Sequence, residues 1–455
     1  MLALFSVVAK EIHKEPVEGG DGFCIQYLSE LLTSFIPNDD HSLNKGQNVS
    51  SDALIYLNGY LYGGAGDEGT IFRIDPESMT VETQTTFLSS EVNYFEQLIY
   101  NDDDGYIYAM IKISGYNGNW IQKISIPSVG SGNPFQLVDS PLYAGSVVYG
   151  TDVNVYGSYI TASMNAFWEP VFRPVTGAQW WTVWEQLPIT YPYTILAGSG
   201  SLAGTYSSGA ELINFQLLPN GELIFNSGPQ SGTFPVTSLI HQFQQDGTRV
   251  RIFSGTTTIG PEEIVPNPSN GYDLALLRCT GATTNLTLRR INASSGASGD
   301  VLITGLELPD GTPLDGSIYH KRTRWHSNGR IYSMHSTYPN NYGRIIAVDP
   351  NGTLLYQYSY QPQNLFGSFV IAGDYVYVWQ DSWHNSAGYV SSIIKLTLDL
   401  EFVCLYDAPA GWSVPLSLYT ERGRHIVHDG VNKVYNFGTR FGSDGIITKY
   451  QVSGF

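Results

Sequence analysis

The sequence predicts an all-β fold made of repeated four-stranded meanders, and three observations predict it. Runs of alternating apolar and polar residues recur with a period of about 53 residues, the spacing of blade-type repeats. Turn residues fall at matching places within them: Asn58-Gly59, Asp75-Pro76, Asp246-Gly247, Asn328-Gly329 and Asp349 to Gly352. Only one stretch, Ile25 to Ile36, carries the apolar spacing of a helix, stopped by Pro37, Asn38 and Asp39.

The first copy sets the pattern. Ala53 to Leu57 and Tyr60 to Gly63 flank Asn-Gly, a pair that accepts the positive φ a tight hairpin demands. Thr70 to Ile74 and Thr80 to Phe87 flank Asp-Pro, where the carboxylate caps the backbone and the ring presets φ. Further copies run over 96–139, 145–187, 211–253, 263–304, 323–358 and 368–406, and the last stops after its third strand at Val452. A single meander leaves both faces bare. Radial stacking covers them and shortens the exposed edges.

The expectation is therefore a single β-propeller of eight four-stranded blades, with seven as the alternative. Its last blade is completed by an N-terminal strand, Leu2 to Lys10. Residues 1–50 form the N-terminal segment, with that closing strand and a short helix, and a possible docking region; residues 51–455 form the propeller.

Composition narrows the function classes. With 41 acidic against 23 basic residues the net charge is −18, so the clustered cations that wrapping nucleic acid requires are missing. Cys24, Cys279 and Cys404 are far apart and in no ligand spacing, which reads as free thiols without a zinc site. The N-terminal run has no basic flank of a signal peptide, and no apolar run reaches membrane length. Synthesis in a host cytoplasm without export is expected, with no membrane insertion.

GYLYGG followed by TIFRIDP resembles the blades of quinoprotein-like propellers, and at the level of irregular, insertion-rich blades the chain looks like bacteriophage tail and virion propellers. The resemblance implies blade geometry. The tryptophan docking motif of quinoproteins and the Asp box of sialidases do not occur, so no chemistry is carried over and no cofactor is expected.

Candidate binding residues fall in three groups. Trp168, Trp180, Trp181 and Trp184, with Glu169, form an aromatic group suited to stacking on sugar rings; partial core filling is the plainer reading. Arg322, Arg324 and His326 form the most basic patch and suit an anion through bidentate guanidinium contacts, against ordinary surface ion pairs. Asp381, Trp383 and His384, beside His428 and Asp429, offer an Asp-His couple, with no nucleophile accompanying it. No catalytic residue and no metal ligand is assigned.

The functional expectation is a non-enzymatic virion structural protein, a bacteriophage tail component or host-attachment platform. Its partners would be other tail proteins, met through the N-terminal segment and blade edges, and a host surface glycan. The alternative is a carbohydrate-binding or carbohydrate-cleaving propeller, a lyase or hydrolase.

Overall fold

A computed structural model describes residues 24–33, 53–65, 69–88, 92, 94–112, 119–144, 166–174, 180–188, 210–229, 236–237, 239–244, 249–253, 257–258, 263–279, 286–307, 317–338, 343–360, 364–384, 388–407, 423–440 and 444–452. All regular structure among them is β-strand. Seven antiparallel four-stranded sheets follow one another along the chain. The first comprises Leu54–Leu57, Tyr60–Gly64, Thr70–Asp75 and Thr80–Thr86; the second Tyr94–Asn101, Tyr106–Lys112, Asn119–Ser125 and Gln136–Ala144. The third takes Ala210–Leu217, Leu223–Pro229, Leu239–Phe243 and Arg249–Phe253; the fourth Val265–Pro266, Asp273–Cys279, Leu286–Asn292 and Ser298–Ile303. The fifth holds Ser317–Trp325, Ile331–Tyr338, Gly343–Val348 and Leu354–Tyr360; the sixth Asn364–Ala372, Tyr375–His384, Gly388–Thr397 and Phe402–Asp407. The seventh has Gly423–His428, Lys433–Arg440 and Asp444–Val452, and takes its fourth strand, Ile25–Thr33, from near the start of the chain.

Local sequence accounts for these sheets. Asn58 and Gly59 have φ of 50° and 86°, the two positive values a two-residue hairpin needs. In the second strand of the first sheet, a Cβ on Gly63 would lie 2.2 Å from Phe72, and one on Gly64 would lie 2.5 Å from Phe95 of the second sheet. Glycine there lets the neighbouring sheet close in. Buried apolar side chains then gather between sheets. Leu54, Phe72 and Ile74 of the first sheet meet Phe437 and Ile447 of the seventh. Met334 and Ile345 of the fifth meet Phe369 and Val378 of the sixth.

First strands of neighbouring sheets touch, Asn214 bonding Ile264 makes the link from the third sheet to the fourth, and the contact between Leu54–Leu57 and Gly423–His428 returns the series to its beginning. The expected copy at 145–187 differs. Its described residues form a two-stranded hairpin, Ala166–Pro174 with Trp180–Pro188, placed against Gln136–Ala144, the fourth strand of the second sheet. Tyr94–Asn101 and Ala210–Leu217, the first strands of the second and third sheets, meet directly.

The N-terminal closure is present, through a different strand from the one expected. Ile25–Thr33, expected to be helical, is extended and pairs from Ile25↔Val452 to Thr33↔Gly445; Leu2 to Lys10 lies outside the described residues. A bulge between Tyr27 and Ser29 explains the misreading. It inserts one residue, Leu28, into an otherwise alternating strand, so Ile25, Leu28 and Leu32 acquire spacings that imitate a helix face. Cys24 and Cys404, expected as free thiols, are joined in a disulfide across a sequence separation of 380.

Ile25 is 7% exposed and packs with Tyr377, Trp379 and Tyr450. Ile25→Asp is expected to cost about 3 kcal/mol by burying an unpaired carboxylate, read as a lower urea midpoint with unchanged slope.

Candidate functional site

The most regular polar feature is a belt running through the first strands. In five of them a bulge is followed at once by a buried polar residue: Gln97, Asn214, Arg322, Ser368 and His425. Glu263, just ahead of the first strand of the fourth sheet, is buried in the same way. Four of these side chains bond the backbone of the next sheet. Gln97 donates to the Phe215 carbonyl at 2.9 Å and accepts its N–H at 3.1 Å. Asn214 repeats this with Ile264, both contacts at 3.2 Å. Glu263 accepts the Thr323 N–H at 2.6 Å, and His425 Nδ1 accepts the Ala53 N–H at 3.2 Å, joining the seventh sheet to the first.

Two of the three anion-patch residues belong to this belt or border it. Arg322 is fully buried with its guanidinium 3.7 Å from Glu263, while Arg324 bonds the same carboxylate at 2.7 Å. The two arginines therefore face a carboxylate of the chain itself. His326 lies apart in the hairpin turn, its Nδ1 accepting the Asn328 N–H at 3.3 Å and its ring edge-on to Tyr332.

The register of the hairpin sorts the aromatic group. Trp168 stands opposite Gln186, Trp184 opposite Pro170 and Trp180 opposite Pro174, which puts these three tryptophans on one face. Glu169 opposite Glu185 and Trp181 opposite Arg173 fall on the other. Asp381, Trp383 and His384, read as loop, belong to the strand Tyr375–His384.

The cyclic contacts and the His425 to Ala53 bond decide the architecture. The chain is a β-propeller. No protein-family model and no curated protein sequence matches it. Among solved structures it is similar to Raptor from Chaetomium thermophilum at 10% identity and TM-score 0.51, covering 94% of this chain and 30% of that one. The propeller thus spans about a third of that chain's length. It is also similar to the Dos1 propeller (11% identity, TM-score 0.46, 94% and 96% covered) and to the polysaccharide lyase Uly1 (9% identity, TM-score 0.48, 94% and 100% covered).

A second belt of the propeller lies at the turns between third and fourth strands. Lys449 donates to the Pro76 carbonyl at 2.7 Å, Arg330 and Tyr332 to the Leu398 carbonyl at 3.0 and 2.9 Å, and Arg73 to the carbonyls of Pro127 and Ser128. Each cation reaches from one blade to the turn of the next. Third-strand cations stand opposite second-strand tyrosines in four blades, in the pairs Arg73↔Tyr62, Lys123↔Tyr108, Lys395↔Tyr377 and Lys449↔Tyr435. Burial, aided by Asp104, pushes the Tyr108 hydroxyl up to about 12, so this phenol stays a donor at all ordinary pH.

The turn acids do turn chemistry. Asp104 accepts from Tyr108 and Lys123, and Asp429 accepts the N–H groups of Val431, Asn432 and Lys433. His428 Nδ1 accepts the Gly430 N–H at 2.8 Å and lies 3.9 Å from Asp429, so the pair is not aligned as an acid-base couple. Among the described residues no group of three His, Cys, Asp or Glu is placed to hold a metal.

Sequence reading missed Gln97, Asn214, Glu263 and His425. The available signal was an uncharged polar residue set among apolar ones, as Gln97 in YFEQLIY and Asn214 in ELINFQL.

Asn214→Leu strips the Ile264 N–H of its partner and leaves the carbonyl to Gln216 alone, which donates to it at 3.0 Å, and is expected to cost about 2 kcal/mol, measured by urea unfolding. Burial holds the His428 imidazole below its ordinary 6.5. The unfolded chain then binds the proton more readily, so stability is complete above 6.5 and declines as pH falls through that value. His428→Asn, which keeps an acceptor for Gly430, should flatten that part of the pH profile.

Proposed function

We propose that this propeller is a non-enzymatic structural platform of a virion, a bacteriophage tail or host-attachment component, which contacts a surface glycan through the hairpin 166–188. The observation that carries the reading is the hairpin itself. It stands against the outer strand of the second blade, outside the series of first-strand contacts, with Trp168, Trp180 and Trp184 on one face. Residues two apart on a strand lie about 7 Å apart, so tryptophan positions along one face suit stacking on successive sugars of a polysaccharide. Both belts of inter-blade bonds support a stiff platform under it.

The charge fits the same reading: at −18 the propeller repels packaged DNA, which suits a tail wall that must let nucleic acid pass. Partners in this role are other tail proteins, met through the N-terminal segment and blade edges. The likeness to tail propellers is one of fold and supports the class of role only.

A glycan array read beside a reducing-sugar release assay tests the proposal. Binding without turnover is expected, with Trp168→Ala/Trp184→Ala weakening it at least tenfold while the far-UV circular dichroism of the folded chain is unchanged. Turnover that disappears in Glu169→Ala or His326→Ala would establish the carbohydrate-cleaving alternative instead.

A further inference from the structure

The seventh blade differs from the others in how its fourth strand is attached. In the first six blades the third and fourth strands are consecutive along the chain, whereas in the seventh Ile25–Thr33 lies beside Asp444–Val452 with almost the whole sequence between them. Nothing in the backbone tethers that strand to its partner. Cys24, the residue immediately before it, bonds Cys404 in Phe402–Asp407, the fourth strand of the sixth blade, with the Cα atoms 6.5 Å apart. The bond therefore spans the seam between two outer strands and supplies the covalent link the topology omits. Both cysteines are only partly buried, against the core of Tyr377, Trp379 and Tyr450. Leu28 at 36% and Val403 at 38% exposure mark the same rim as open to solvent.

We infer that Cys24–Cys404 is a redox-operated lock on ring closure. Oxidised, it holds Ile25–Thr33 in the seventh blade. Reduced, the strand is retained by pairing and by the packing of Ile25 and Leu31, and its release uncovers the edge of Asp444–Val452, a free strand edge open to pairing with another chain. The chemistry balances with a dithiol as reductant: its two thiolates break the S–S bond in turn through a mixed disulfide, two electrons and two protons leave two cysteine thiols, and the dithiol becomes a cyclic disulfide. Closing needs an oxidant such as glutathione disulfide, which is scarce in a reducing cytoplasm. The lock is thus open where the chain is made in such a compartment, and shuts in an oxidising medium. This inference is independent of the virion reading.

Thiol titration in denaturant, thermal melts and limited proteolysis of the full chain test it. Protein equilibrated with oxidised glutathione should present one free thiol, from Cys279, and a peptide pair crosslinked through Cys24 and Cys404; dithiothreitol should raise the count to three. Reduction should lower the melting temperature by about 5 °C, the size expected for a long closed loop in a chain this large, and speed cleavage between residues 24 and 53. Cys24→Ser should behave as the reduced protein under both conditions, and Cys279→Ser should keep the full redox response. Three free thiols after oxidation would overturn the inference, as would melts and cleavage rates that reduction leaves unchanged.

Discussion

Closure of the ring depends on side chains of one blade bonding the main chain of the next. Radial sheets meet face to face, and the apolar seams between them carry most of the stabilising energy, yet oil-like contact alone fixes neither the order nor the height of neighbouring blades. Gln97 and Asn214 supply that information. Each satisfies both the N–H and the C=O of one residue, Phe215 and Ile264, at the point where the first strand turns toward its neighbour. A buried amide misaligned by one residue would leave three or four polar groups unpaired, at about 1 to 3 kcal/mol each. The bulge before Gln97, Asn214, Arg322, Ser368 and His425 re-aims the polar side chain out of its own sheet.

The second belt does for the outer part of the blades what the first does for the inner part. Arg73, Arg330 and Lys449 cap turn carbonyls of the following blade, while Glu82, Asp399 and Glu77 supply nearby negative charge. A chain poor in cations therefore spends several of them on architecture. That is why the Arg322 and Arg324 patch, which looks like an anion site in sequence, faces Glu263 from a neighbouring blade. The appended hairpin lies outside this network, set against the fourth strand of the second blade.

Legibility in the sequence followed the range of the interaction. Asn58-Gly59 and Asp75-Pro76 act within their own turns, so their roles were readable from a few residues. Four of the blade copies could be aligned on such turns. Ile25–Thr33 was misread because one bulged residue, Leu28, converts a period of two into an apparent helical spacing. The Cys24–Cys404 pair and the Glu263–Arg322 contact were invisible for another reason: both exist only once separate blades stand side by side. The hairpin strands 166–174 and 180–188 were readable from their alternation, whereas their place outside the blade series was not, since that depends on Gln97 reaching Phe215.

Hydrogen–deuterium exchange at the amides of Ala53, Phe215, Ile264 and Thr323 tests the inter-blade belt most directly, because each N–H is held by a side chain of the preceding blade. The account predicts that all four exchange only with global unfolding, and that Asn214→Leu speeds exchange at Ile264 while leaving Phe215 and Ala53 protected. Exchange at loop-like rates in the unaltered protein would contradict it.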